Sequence, residues 1–78
     1  METFEITDDY IQLNQLLKVL NWVNDGAHAN FVIDEGLVTV NGEQELRRRN
    51  KIVAGFIVEF NGQSVKVEGK TKSTTIPE

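Results

Sequence analysis

Seventy-eight residues, 40% apolar and 26% charged, make one small folded domain with little room for a deep substrate cleft, because a chain of this length buries only about 60% of its unfolded surface. With no cysteine, a disulfide framework and a thiolate metal site are excluded, and a cytoplasmic setting is expected. The formal net charge is −4, but four of the eight Lys and Arg residues fall in Arg47-Arg48-Arg49-Asn50-Lys51. A segment of +4 therefore sits in a remainder of −8, and a polyanion feels that local field within a Debye length of about 8 Å.

Met1 to Glu5 show no basic segment leading into an apolar one, and no window approaches the ~20 apolar residues of a membrane span, so neither secretion nor insertion is expected. Phe4 and Ile6 alternate with polar neighbours, which allows an edge strand over Thr3 to Ile6. Asp8-Asp9 then precede Leu13, Leu16, Leu17 and Leu20, an i, i+3, i+4, i+7 stripe that predicts a helix over about residues 9–20. Either aspartate can cap it, Gln12 follows Asp9 at capping-box spacing, and both charges suit the positive end of the helix dipole. Asn21 to Asn24 interrupt the stripe. Asp25 can cap a second, shorter helix through Ala27, Ala29, Val32 and Ile33, closed by Gly36 at C′. Its small residues Gly26, Ala27 and Ala29 allow close packing on the first helix.

After Gly36 the period changes to two. Val38 and Val40 alternate with Leu37 and Thr39, and Asn41-Gly42 supplies the positive φ angles of a type I′ turn, predicting a hairpin that returns over Glu43 to Leu46. Phe56 to Phe60 and Ser64 to Val67, joined by Asn61-Gly62, predict a second hairpin. The basic run lies on the short connection between the two. From Gly69 the chain is polar and without period, which predicts a flexible tail over 69–78 behind a single domain over 1–68. The fold class is α+β: two packed N-terminal helices followed by a small twisted, mostly antiparallel sheet.

The residues give catalysis little support. His28 is the single histidine, it has no cysteine to work with, and it reads as a helix residue facing solvent or a ligand. Asp8-Asp9 and Asp34-Glu35 lie at helix ends, where capping, dipole effects and solvation account for them. Only hard oxygen ligands are available to a metal, and no loop has the spacing of a calcium site. Gly42, Gly55 and Gly62 are isolated turn glycines, not a phosphate-cradling loop. No enzyme activity and no cofactor are expected.

A charge run is ordinarily a solvated surface. Here the bases are unbroken by acids from Leu46 to Val58, and they lie on a short connection whose backbone a tight fold fixes. Arginine also offers a planar fork of donors that matches phosphate and stacks on exposed bases. Trp22, following the leucine stripe, reads as core before it reads as a stacking platform.

Leu16-Leu17-Lys18, Asp25-Gly26-Ala27-His28-Ala29-Asn30, Glu35-Gly36-Leu37-Val38-Thr39-Val40-Asn41-Gly42 and Arg47-Arg48-Arg49-Asn50-Lys51-Ile52-Val53-Ala54-Gly55 together resemble the S-four RNA-binding domain. That module is named after ribosomal small-subunit protein four, and the resemblance is to its free-standing bacterial, YbcJ-like members over about residues 10–67. It implies the α-L RNA-binding motif and binding of structured RNA, ribosomal or transfer RNA, through the second helix and the adjoining hairpin and loop. Carried over by position, the candidate contacts are Lys18, His28, Asn30, Arg47, Arg48, Arg49 and Lys51, while Asn41 and Gly42 shape a turn. Asn30 and Gly26 stand where members often carry basic residues, which shifts the expected load onto the arginine run. Phe56 replaces an aspartate that often follows the loop glycine and reads as extra packing.

The expected function is therefore non-enzymatic binding of structured RNA by a monomer, whether alone, on the ribosome or beside an enzyme, with no DNA-specific or membrane binding. About four phosphate contacts would give a log–log salt slope near −3. The alternative is an adaptor whose basic loop docks on an acidic protein.

Overall fold

The computed structural model describes residues 1–69. The predicted tail beyond Gly69 lies outside the described residues. In chain order the elements are β1 (Glu2–Glu5), β2 (Ile11–Gln12), α1 (Leu13–Val19), α2 (Gly26–Asp34), β3 (Val38–Val40), β4 (Glu43–Gln44), β5 (Lys51–Ile52), β6 (Ile57–Phe60) and β7 (Gln63–Glu68). Five strands form one sheet in the order β1-β7-β6-β3-β4, and β2 pairs with β5 as a separate antiparallel ribbon. The helices do not come first. The chain opens with a strand, and β1 lies parallel to β7, with Glu2 opposite Val65 and Glu5 opposite Glu68, so the sheet is mixed.

Helix α1 is shorter than its leucine stripe suggests. It begins at Leu13, its N-cap is Gln12, and no side chain caps it. Asp8 and Asp9 lie upstream as exposed residues, and the first two amides are taken by distant carbonyls: Leu13 N–H donates to Asn50 O at 2.9 Å and Asn14 N–H to Arg48 O at 3.0 Å. A backbone cap of this kind satisfies the orphan donors of a helix start as well as an aspartate would. The C-terminus closes on Asn21, whose φ of 61° places it in the left-handed region. Trp22 N–H donates to Leu17 O and Asn21 N–H to Lys18 O, the paired bonds of a Schellman motif.

Helix α2 matches its sequence signals. Asp25 Oδ1 accepts from the His28 amide at 2.9 Å, and Gly36 (φ 75°) closes the far end with the same paired bonds, from Leu37 N–H to Val32 O and from Gly36 N–H to Ile33 O. Both hairpins also form. Asn41-Gly42 joins β3 to β4 and Asn61-Gly62 joins β6 to β7, all four residues at positive φ as a type I′ turn requires. The first hairpin is cut short: β4 ends at Gln44 instead of running to Leu46, and although Glu45 N–H still donates to Val38 O at 3.0 Å, its side chain turns to the basic loop.

One apolar core joins the layers. Leu13, Leu16 and Leu17 of α1 and Ala29, Val32 and Ile33 of α2 pack with Val38, Val40, Val58, Val65 and Val67 of the sheet and Ile52 of the ribbon. Trp22 is only 9% exposed and belongs to this core, and Phe56 packs against its margin.

Candidate nucleic-acid interface

The basic run sits where the β2–β5 ribbon meets the start of α1. Arg47 O accepts from Asn50 N–H at 3.2 Å, so Arg48 and Arg49 form the tip of a β-turn. The same turn lends the carbonyls of Arg48 and Asn50 to α1, and Ile52 and Lys51 pair with Ile11 and Gln12. Loop and helix start are therefore held as one backbone unit. The expectation of a fixed loop holds, although the clamp is α1 and not the hairpins on either side.

Glu45 organises the side chains. Its carboxylate accepts from the backbone N–H, Nε and Nη2 of Arg47 at 2.9, 2.9 and 3.3 Å and from Asn50 Nδ2 at 3.1 Å. The Glu45 side chain is 13% exposed and that of Arg47 75% exposed. The Arg47 hydrogen bonds hold the Glu45 carboxyl below the ordinary carboxylate range against the opposing effect of burial, and Glu45 in turn raises the Arg47 guanidinium. Arg48 reaches the last turn of α2, where its Nε and Nη2 meet the two oxygens of Asp34 at 2.9 and 2.5 Å. That fork lowers the Asp34 carboxyl and raises Arg48. Asp34 is thus an ion-pair partner and not merely an acid at a helix end, where the dipole disfavours a negative charge.

Arg49, Lys18 and Lys51 form no ion pair among the described residues. Arg49 and Lys18, both exposed, line one shallow groove with Gln12, Asn14, Gln15 and Gly26, at the junction of the loop, α1 and the start of α2. Arg49 also borders a second depression with Arg47, Asn50 and Lys51. Lys51 Nζ lies 4.9 Å from the centroid of the Tyr10 ring, a cation–π contact.

The two second-helix candidates are occupied differently. His28 is half-buried, and its Nδ1 accepts from the Asn24 N–H at 3.1 Å, so its ring helps tie down the turn before α2. Asn30 is half-buried, and its Oδ1 accepts from Asn14 Nδ2 at 3.1 Å across the helix pair. Asn14 Oδ1 is buried with no hydrogen-bond partner among the described residues. The structure thus gathers Lys18, Arg49, Arg47 and Lys51 around the turn, hangs Arg48 toward the outside of α2, and engages His28 and Asn30 within the fold. Sequence reasoning missed Glu45, Asp34 and Asn14. Glu45 had a signal, since it sits two residues before Arg47 on the way out of a strand; Asp34 had none, being 14 residues from Arg48.

Two packed helices on a mixed sheet, with a basic loop clamped to the start of the first helix, define a small α+β domain of the α-L class. The fold is similar to the solution structure of YbcJ from E. coli, which reveals an α-L motif involved in RNA-binding: the TM-score is 0.68 at 45% identity, covering 87% of each chain. A family model described as the S4 domain matches residues 4–68, and the chain belongs to that family. It is 46% identical over 68 residues to YbcJ of Escherichia coli (strain K12), spanning 86% of this chain and 97% of that protein. It is also 35% identical over 57 residues to the "Probable ribosome maturation protein RlbA" of Bacillus subtilis (strain 168), spanning 73% and 80%.

Proposed function

We propose that this protein binds RNA without catalysis, recognising a structured RNA of the ribosomal or transfer class through the turn at Arg47 to Lys51 and the groove beside it. The observation that carries this reading is the convergence of Arg49 and Lys18 on one groove, both free of acidic partners among the described residues, on a backbone clamped by α1. Membership in the S4 domain family and the RNA-binding motif of YbcJ support it. The similarity to a ribosome maturation protein favours ribosomal RNA over transfer RNA.

The geometry divides the work among the cations. Arg49, Lys18 and Lys51 are available to phosphates and release counterions when they bind. Arg47 and Arg48 already carry carboxylate partners, so they add shape and hydrogen-bond direction more than charge. Three free cations predict a log–log salt slope of about −2 to −3, and between about 50 and 200 mM salt the affinity should fall by more than tenfold. A gel-shift or fluorescence titration against a ribosomal RNA fragment tests this, and affinity that does not change with salt would sink it. Recovery of the bound partners after ribonuclease digestion of a cell extract would instead support the acidic-protein adaptor.

A further inference from the structure

Phe31 is 58% exposed in the middle of α2, the most exposed aromatic among the described residues. Single exposed apolar side chains are common and need no ligand to explain them. The setting of this one is different. Ala27, Phe31, Asp34 and Glu35 are all exposed and share the outer face of α2, opposite the buried Ala29, Val32 and Ile33. Asp34 lies three residues after Phe31, next to it on that face, and its carboxylate holds the Arg48 guanidinium by two hydrogen bonds. A planar cation is therefore held by the carboxylate that neighbours the open aromatic ring on this face of the helix. The next residue along the turn, Arg49, faces the groove it shares with Lys18. The turn thus links that groove, through the neighbouring Arg48 and its partner Asp34, to the helix face that carries Phe31.

Resting on the RNA-binding reading above, we infer that Phe31, with Arg48 fixed beside it, is a platform on which an unpaired base of the RNA stacks. Unpaired bases stack on aromatic rings and on arginine planes, and every base has the face required. The other candidate aromatics are spent. Trp22 is in the core, and the Tyr10 ring already carries the Lys51 ammonium. The Asp34 fork gives Arg48 a role that its missing free charge denied it: it orients a flat surface instead of neutralising a phosphate.

The test compares wild type with Phe31→Ala, Phe31→Leu and Phe31→Trp on two RNAs. One is a hairpin with unpaired adenines in its loop, one of them replaced by 2-aminopurine; the other is a blunt duplex of equal length. Phe31→Ala and Phe31→Leu should weaken hairpin binding about five- to a hundredfold, the range of base–aromatic stacking, and abolish the 2-aminopurine quenching seen with wild type. Duplex affinity and the salt slope should not change, and Phe31→Trp should bind the hairpin like wild type. Hairpin binding by Phe31→Ala at wild-type strength, or equal losses on hairpin and duplex, would overturn the platform while leaving the RNA-binding reading in place. Failure of wild type to bind either RNA would overturn that reading, and the platform with it.

Discussion

Glu45 is the side chain on which the basic turn depends. It takes hydrogen bonds from three Arg47 groups and from Asn50, so Glu45→Gln should leave at least one of these donors badly paired and cost about 1–3 kcal/mol in urea unfolding. Glu43→Gln, two residues earlier and exposed on β4, should stay within about 0.5 kcal/mol; equal effects would show that the network does not hold the loop. The two acids also set a pH dependence. The carboxyls of Glu45 and Asp34 are both lowered by their arginines, so the stability they contribute is complete above the ordinary carboxylate values near 4 and is lost as pH falls through the lowered ones. The Nε–H resonances of Arg47 and Arg48 should accordingly broaden or shift only at pH below about 4, and a change already complete at pH 5 would contradict the pairing. For binding, Arg49→Ala and Lys18→Ala should each reduce the salt slope by a little under one, leaving the melting temperature almost unchanged. Arg47→Ala should change the slope less, because its charge is already compensated.

At the scale of elements, what the sequence revealed depended on how far away the partner of each signal lay. The two Asn-Gly turns, Asp25 and Gly36 act within a few residues, and each gave its turn or cap as read. The start of α1 was misplaced because its cap is made by the carbonyls of Arg48 and Asn50, some 35 residues away, which no local pattern reveals. The β2–β5 ribbon, two residues on each side, is too short to show alternation. The candidate site divides in the same way: its cations were legible as a run, but which of them were free was set by Asp34 and Glu45. Two predictions belong here. Gly36→Ala should cost more than about 1 kcal/mol, because φ of 75° disfavours any side chain and a Cβ there runs into the Gln44 amide that donates to the Gly36 carbonyl. The amides of Leu13 and Asn14 should exchange hydrogen together with that of Asn50, and all three should slow when RNA binds, since one clamp holds them.

The whole molecule segregates its charge. Four cations lie on one turn and the strand that leaves it, with Lys18 on the adjoining groove, while Glu2, Glu5 and Glu68 lie on β1 and β7. Such a layout lets an acidic protein with a pI of 4.9 present one attractive face to a polyanion and a repulsive one elsewhere, which fixes the orientation of approach. The total charge alone argues against nucleic acid, and the local charge of the run argues for it.

The parallel pairing of β1 with β7 bears on the order of assembly. Residues Glu2 to Glu5 find their partners at Val65 to Glu68, so the first of the described strands waits for the last of them. The unit proposed to face RNA needs only the span from Ile11 to Ile52. Contacts between such distant parts of a chain carry the larger closure entropy and form late. Pulse-labelling during refolding should therefore find the amides of Leu13 and Asn14 protected before the β1–β7 ladder, so that the basic turn takes shape while the sheet behind it is still open at its edge.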